Sequence, residues 1–246
     1  RLARGDRMSG IVIALDGPSG SGKSTVGRYL ASSRGLGYLD TGAMFRALAW
    51  FCHHTDVDLD DLDAVTRASQ SFPLEISLDP ASTQVFVGES DVTEAIRTTE
   101  ISTVVSKVAT NLGVRADLKA RQRAIIGAEL TDQGYSEGRG IVAEGRDITT
   151  VIAPDADVRI LLVAREEARL ARRALELHGT DDADAIAATR DQVLRRDADD
   201  STVSEFSQAA DGVITLDSST MNLEETLQAA TRLVDAQLAR NAGARG

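Results

Sequence analysis

Gly17, Pro18, Ser19, Gly20, Ser21, Gly22, Lys23 and Ser24 fit the phosphate-binding loop pattern GxxxxGK[ST], with Thr25 following directly. Glycines at those positions let the backbone turn so that several N–H groups face one phosphate, with the positive end of the next helix behind them. Lys23 is spaced to reach the β- and γ-phosphates, and the Ser24 hydroxyl to ligate Mg²⁺ brought in with the nucleotide. The loop therefore implies a nucleoside triphosphate with Mg²⁺ as cofactor, and leaves open what is done with it. A small-molecule kinase, a GTPase switch, and an ATPase motor or plain binding module all remain possible.

Other groups bear on that choice. No NKxD guanine-reading sequence occurs. The run Ile141 to Glu144 ends in Glu144-Gly145-Arg146-Asp147 rather than in the aspartate of a motor. An arginine beside two carboxylates at the end of a central strand suits a second anionic substrate. Thr41 and Gly42 follow the run Gly37 to Asp40, with Arg46 one turn further on, so a hydroxyl, backbone N–H groups and a guanidinium can converge on a phosphate. Arg115, Lys119 and Arg123 recur at i, i+4 and i+8, one basic helix face whose alternative reading is a solvated surface. Arg165, Arg169, Arg172 and Arg173, then Arg190, Arg195 and Arg196, flank the polar turn from Gly179 to Asp184, as a lid closing over a transferring phosphoryl group requires. Asp197 to Ser201 lacks the glycine and glutamate of a calcium loop, and His53, His54 and His178 form no metal triad.

These groups need a scaffold that brings strand ends together. Ile11–Leu15, Gly37–Asp40, Ile141–Glu144, Val158–Val163 and Val213–Leu216 are short aliphatic runs separated by stretches with helical character, the pattern of a buried parallel sheet. Helices are expected near Gly22–Ser33, Gly42–His54, Glu166–His178, Ala183–Arg196 and Leu223–Ala239, the last opened by the capping pair Asn222 and Glu225. The implied architecture is a three-layer α/β domain. About 100 residues separate Asp40 from Ile141, far more than one βαβ unit takes. Leu74 to Leu78 and Gln84 to Val87, joined by Asp79-Pro80-Ala81-Ser82, read as an antiparallel hairpin set into that interval.

Composition narrows the setting. The chain has 246 residues, 42% of them hydrophobic and 26% charged, with 27 Lys and Arg against 38 Asp and Glu, a formal charge of −11. That balance disfavours a surface for a nucleic-acid polymer or an anionic membrane, and makes any anion site local. A single cysteine, Cys52, forms no internal disulfide, and no apolar run approaches a membrane span. A cytoplasmic protein is expected, with residues 1–7, ahead of Met8, lying upstream of the fold.

Asp16-Gly17-Pro18-Ser19-Gly20, Leu39-Asp40-Thr41-Gly42-Ala43-Met44-Phe45-Arg46, Glu144-Gly145-Arg146-Asp147, and Arg196-Asp197 with Asp200-Ser201 stand in an order that resembles bacterial cytidylate kinases, from about Gly10 to Leu238. The resemblance implies a P-loop kinase domain over 8–240 with a five-stranded parallel sheet. Its parts would be a core (8–54, 108–164 and 197–240), an inserted monophosphate-binding subdomain with antiparallel strands (about 55–107) and a helical lid (about 165–196). It implies a monomer transferring the γ-phosphoryl group of ATP to CMP or dCMP, against the alternatives of another nucleotide or metabolite kinase (UMP, AMP) or a binding module without transfer. Thr41, Arg46 and Arg146 match family positions that hold the CMP phosphate; Ser106, Arg115 and Asp147 match those that read cytosine; Arg196 and Asp200 match those at the sugar. Lys23, Arg146 and Arg172 are expected to serve transfer, Arg172 as the lid cation, with Arg173 and Arg169 next. Val203 stands where the family usually has a further arginine, so either Arg195 substitutes or one cation is missing.

Overall fold

The computed structural model describes residues 10–245, so the expected upstream segment lies outside the described residues. Along the chain, β1 (Ile11–Asp16) runs into the P-loop and α1 (Lys23–Arg34), which ends on Gly35 in the left-handed conformation, its N–H bonded to Ala31 and Ser32 carbonyls. Next come β2 (Gly37–Asp40) and α2 (Thr41–His54), started by the Asp40 side chain accepting from the Ala43 N–H. The inserted region holds α3 (Leu62–Ser71), β3 (Leu74–Ile76), β4 (Val85–Val87), β5 (Ser90–Asp91) and α4 (Thr99–Ala109). α5 (Leu112–Glu129) returns the chain to β6 (Gly140–Gly145), a tight five-residue turn at Ile148–Ile152, and β7 (Val158–Val163). Then follow α6 (Glu166–His178), α7 (Ala183–Ser201), β8 (Ile214–Asp217) and α8 (Leu223–Arg245).

The main sheet is parallel with strand order β2-β6-β1-β7-β8, the five-stranded sheet expected. Its strands bury both faces, which is why they read as unbroken aliphatic runs. One face packs Val12, Leu39, Met44, Leu48, Val114 and Leu118 with neighbours from α2, α4 and α5; the other packs Ile13, Leu15, Leu30, Val142, Ile160 and Val234 beneath α1 and α8. At about 1.5–3 kcal/mol for each fully buried aliphatic side chain, these two layers supply the principal drive to fold. The expected capping pair opens α8: Asn222 Oδ1 accepts from Glu225 N, and Glu225 Oε2 from Asn222 N.

The expected hairpin forms with shorter strands and gains a third, giving the antiparallel sheet β3-β4-β5. α3 and α4 flank it, each begun by a side-chain cap, Asp61 onto Ala64 N and Thr98 onto Ile101 N. The ends of β1, β2 and β6 fall at one edge of the main sheet, which brings Gly17, Thr41 and Arg146 together.

Candidate active site

A cleft of about 850 Å³ opens at that edge, floored by the P-loop and walled by α2, α4, α6 and the end of α7. Gly20 to Thr25 line it, as do Thr41, Arg46, Arg115, Arg146, Asp147, Arg196 and Asp200. Gly17 takes φ 155°, and a Cβ there would meet the Leu162 carbonyl oxygen at 2.1 Å, so only glycine lets the loop leave β1 past β7.

Lys23 begins α1 with its ammonium in the cleft, Nζ donating to the Pro18 carbonyl at 2.9 Å. Burial, with Arg146 and Arg196 adding to it against Glu144, pulls the ammonium down to about 7. An arriving polyphosphate reverses that penalty by placing negative charge beside it. Glu144 lies opposite at the end of β6, 2% exposed, with its carboxyl raised by burial and by Asp40 despite Lys23 and hydrogen bonds from Tyr38 and Ser24. Tyr38 Oη donates to Glu144 Oε1 at 2.5 Å. The sequence marks Glu144 only as one of the two carboxylates beside Arg146; its pairing with Tyr38 is new, with Tyr38 on an otherwise aliphatic strand the available signal.

On the second side, Arg46 Nη2 pairs with Asp40 Oδ2 at 2.8 Å. Burial pushes the Asp40 carboxyl up, but Arg46, Arg97 and the Ala43 N–H outweigh it and hold it below its ordinary value. Thr41 Oγ1 donates to the Glu144 carbonyl at 2.7 Å. Arg146 Nε donates to Asp200 Oδ2 at 3.0 Å and Nη1 to the Gly17 carbonyl at 2.7 Å, while its guanidinium stands over Phe206. Arg196 has Asp200 at 3.9 Å, and its buried Nε has no hydrogen-bond partner among the described residues. Burial and the Arg146 charge pull Arg196 down to about 10. At the far end Arg115 Nη2 donates to Asp147 Oδ2 at 2.5 Å and to Ser204 Oγ at 2.8 Å, with Nη1 on the Ala109 carbonyl.

Two expectations change and two open alternatives are narrowed. Ser106 does not line the cleft; Ser102 and Val105 on the same helix do, because the α4 face turned inward is set by Ile101, Val105 and Val108 packing. Arg172 lines the cleft, yet its guanidinium is committed to the Ser21 carbonyl (3.2 Å), the Ser218 hydroxyl (3.0 Å) and carbonyl (2.8 Å) and the Met221 carbonyl (3.5 Å), so it ties α6 to the P-loop and to the entrance of α8. Arg173, paired only with exposed Glu176 at 2.8 Å, is the α6 arginine left to face a ligand; Arg169 points to the outer side of the P-loop, away from the cleft lining. Arg195 is exposed and does not line the cleft, so it is not the substitute for the arginine missing at Val203. Of the basic face on α5, only Arg115 lines the main cleft. Arg123 caps the Val151 and Ile152 carbonyls, and Lys119 borders a side hollow of about 200 Å³.

A magnesium ion carried by a triphosphate suits this corner. The Ser24 hydroxyl and the Glu144 carboxylate are hard oxygen donors that line the phosphate end of the cleft.

Fold and site together define a P-loop α/β protein with one cleft lined by the P-loop and by the cations Lys23, Arg46, Arg115, Arg146 and Arg196. The comparisons with known proteins are specific beyond that: the cytidylate kinase family model matches residues 13–236. A cytidylate kinase of Cutibacterium acnes is 44% identical over 232 residues, covering 94% of this chain and 98% of the relative. Another from Rhodococcus opacus is 41% identical, covering 89% and 92%, and one from Exiguobacterium sibiricum is 36% identical, covering 94% and 100%. The chain belongs to the cytidylate kinase family.

Proposed function

We propose that the chain transfers the γ-phosphoryl group of MgATP to CMP and dCMP. The observation that carries this reading is one continuous cleft with the P-loop and Lys23 at one end, the Arg115–Asp147 pair at the other, and Arg46, Arg146 and Arg196 between them. The P-loop takes the triphosphate, and Ser24 with Glu144 would hold its Mg²⁺, which would offset the charge of the phosphates during transfer. Thr41, Arg46 and Arg146 take the CMP phosphate; Arg196 and Asp200 sit at the sugar. Asp147 accepts from the exocyclic amine of cytosine, with the cleft-lining hydroxyl on α4 at Ser102, while Arg115 donates to the ring acceptors, a pattern uracil does not satisfy.

The chemistry asks for alignment and charge neutralisation rather than a covalent nucleophile. Arg173 is the cation placed for the migrating group, in place of Arg172. Residues 55–107 act as the monophosphate-binding subdomain and 165–196 as the lid that excludes water, within a monomeric core. In a coupled assay of ADP release, CMP and dCMP stimulate turnover far above UMP, AMP and GMP. Equal stimulation by AMP overturns the assignment of the acceptor.

A further inference from the structure

Asp197, near the end of α7, touches the outer face of the P-loop rather than the cleft, and the chemistry above gives it no task. Its Oδ1 accepts the Ser19 N–H at 3.0 Å, and its Oδ2 accepts from Arg169 Nη1. The same Arg169 Nη1 donates to the Ser19 carbonyl at 2.9 Å. Both backbone polar groups of Ser19 are thus engaged from outside, the N–H by α7 and the carbonyl by α6. Gly20 follows at φ 73°, where a Cβ would meet the Arg169 carbonyl oxygen at 2.5 Å, so the α6 backbone lies directly against the loop. Arg172 holds the Ser21 carbonyl at 3.2 Å.

The peptide unit turns these contacts into an orienting device. In a trans peptide the C=O and the next N–H point in opposite directions. Pinning the Ser19 carbonyl outward aims the Gly20 N–H the other way, and pinning the Ser21 carbonyl does the same for Gly22; both glycines line the cleft. Those are N–H groups a phosphate cradle uses.

We infer that Asp197 is a positioning residue that, through Ser19 and Arg169, holds the P-loop with its N–H groups turned to the phosphates. This rests on the reading that the loop takes the phosphates of ATP. Arg146 is not held by Asp197 in the same way: its Nη2 is 3.7 Å from Asp197 Oδ1, whereas its Nε reaches Asp200 at 3.0 Å. Loss of Asp197 therefore acts on the nucleotide donor and spares the acceptor.

The test is Asp197→Ala and Asp197→Asn, with KM for ATP and for CMP measured separately and ADP affinity titrated directly without turnover. Asp197→Ala raises the ATP KM about 10- to 100-fold, the range of a lost charged hydrogen bond, weakens ADP by the same factor, and moves the CMP KM by less than about threefold. Asp197→Asn keeps an acceptor for the Ser19 N–H and falls between Asp197→Ala and the unchanged protein. A CMP KM that rises as far as the ATP KM, an unchanged ADP affinity, or an asparagine variant no better than alanine overturns the inference. Should Asp197→Ala not fold, Arg169→Met removes the Ser19 carbonyl contact and the partner of Asp197 Oδ2 while leaving Asp197 Oδ1 on the Ser19 N–H, and is expected to weaken ADP about tenfold; unchanged ADP affinity there also overturns it. An unsubstituted protein that binds ADP but transfers nothing to CMP would instead refute the kinase reading, and the ADP titrations would still decide the role of Asp197.

Discussion

Replacing Asp147 by asparagine changes one oxygen into an amide nitrogen at the position proposed to read the base. In the free protein Asp147 Oδ2 accepts from Arg115 Nη2, and both side chains are mostly enclosed, 17% and 18% exposed. Arg115 keeps two other acceptors, the Ser204 hydroxyl at 2.8 Å and the Ala109 carbonyl at 3.0 Å, so the guanidinium stays placed when the aspartate charge goes. The loss to CMP is then one charge-assisted hydrogen bond from its exocyclic amine, about 1.5–3 kcal/mol, or about 10- to 150-fold in the CMP KM. The asparagine amide offers a donor that the O4 carbonyl of UMP can accept, so UMP gains while CMP loses. In a coupled assay with saturating ATP, the ratio of kcat/KM for CMP over UMP should fall by at least about 10-fold, with the ATP KM within about twofold. An unchanged CMP to UMP ratio removes Asp147 from the base site and refutes the argument that its carboxylate selects cytosine.

Three further outcomes follow from the contacts described. Arg173→Ala should lower kcat by about two orders of magnitude with little change in thermal midpoint, whereas Arg172→Ala should lower the midpoint by several degrees through four lost oxygen contacts; the reverse pattern would reinstate Arg172 as the transferring cation. Tyr38→Phe keeps the ring that packs against Gly27 but removes the Tyr38 hydroxyl bond to buried Glu144, which should reduce stability to urea by about 1–3 kcal/mol. Burial pushes the Cys52 thiol up to about 11 from 9.0, so the folded protein keeps a proton that the unfolded chain releases between those values. Stability therefore falls from pH 9 toward pH 11, and Cys52→Ala should flatten that limb when unfolding is followed across the range.

How far the sequence disclosed this arrangement depends on which contacts made it. The P-loop, the five aliphatic strands and the Asn222–Glu225 cap are set by neighbouring residues, and all were legible. α3 was missed because only Asp61 announces it; its start depends on one side-chain cap, and its buried face on Val65 and Ala68 meeting α5 and α2. Ser102 and Ser106 share a helix one turn apart, and which hydroxyl looks into the cleft is settled by packing, not by spacing. Arg172 shows the same limit at higher stakes. Its partners are carbonyls and a hydroxyl at Ser21, Ser218 and Met221, and backbone acceptors leave no mark on a sequence. The pairing of Glu144 with Tyr38 was hidden for a related reason: it joins neighbouring parallel strands about 100 positions apart.

The central claim is that the phosphoryl group passes directly from ATP to the acceptor phosphate inside one cleft. Incubating the protein with γ-labelled ATP, Mg²⁺ and CMP and separating the products tests it most directly. The account predicts label in the β-phosphate of CDP, equal to the ADP formed, and none when Lys23→Ala is used. Label recovered as inorganic phosphate, or ADP formed at the same rate with and without CMP, would contradict it.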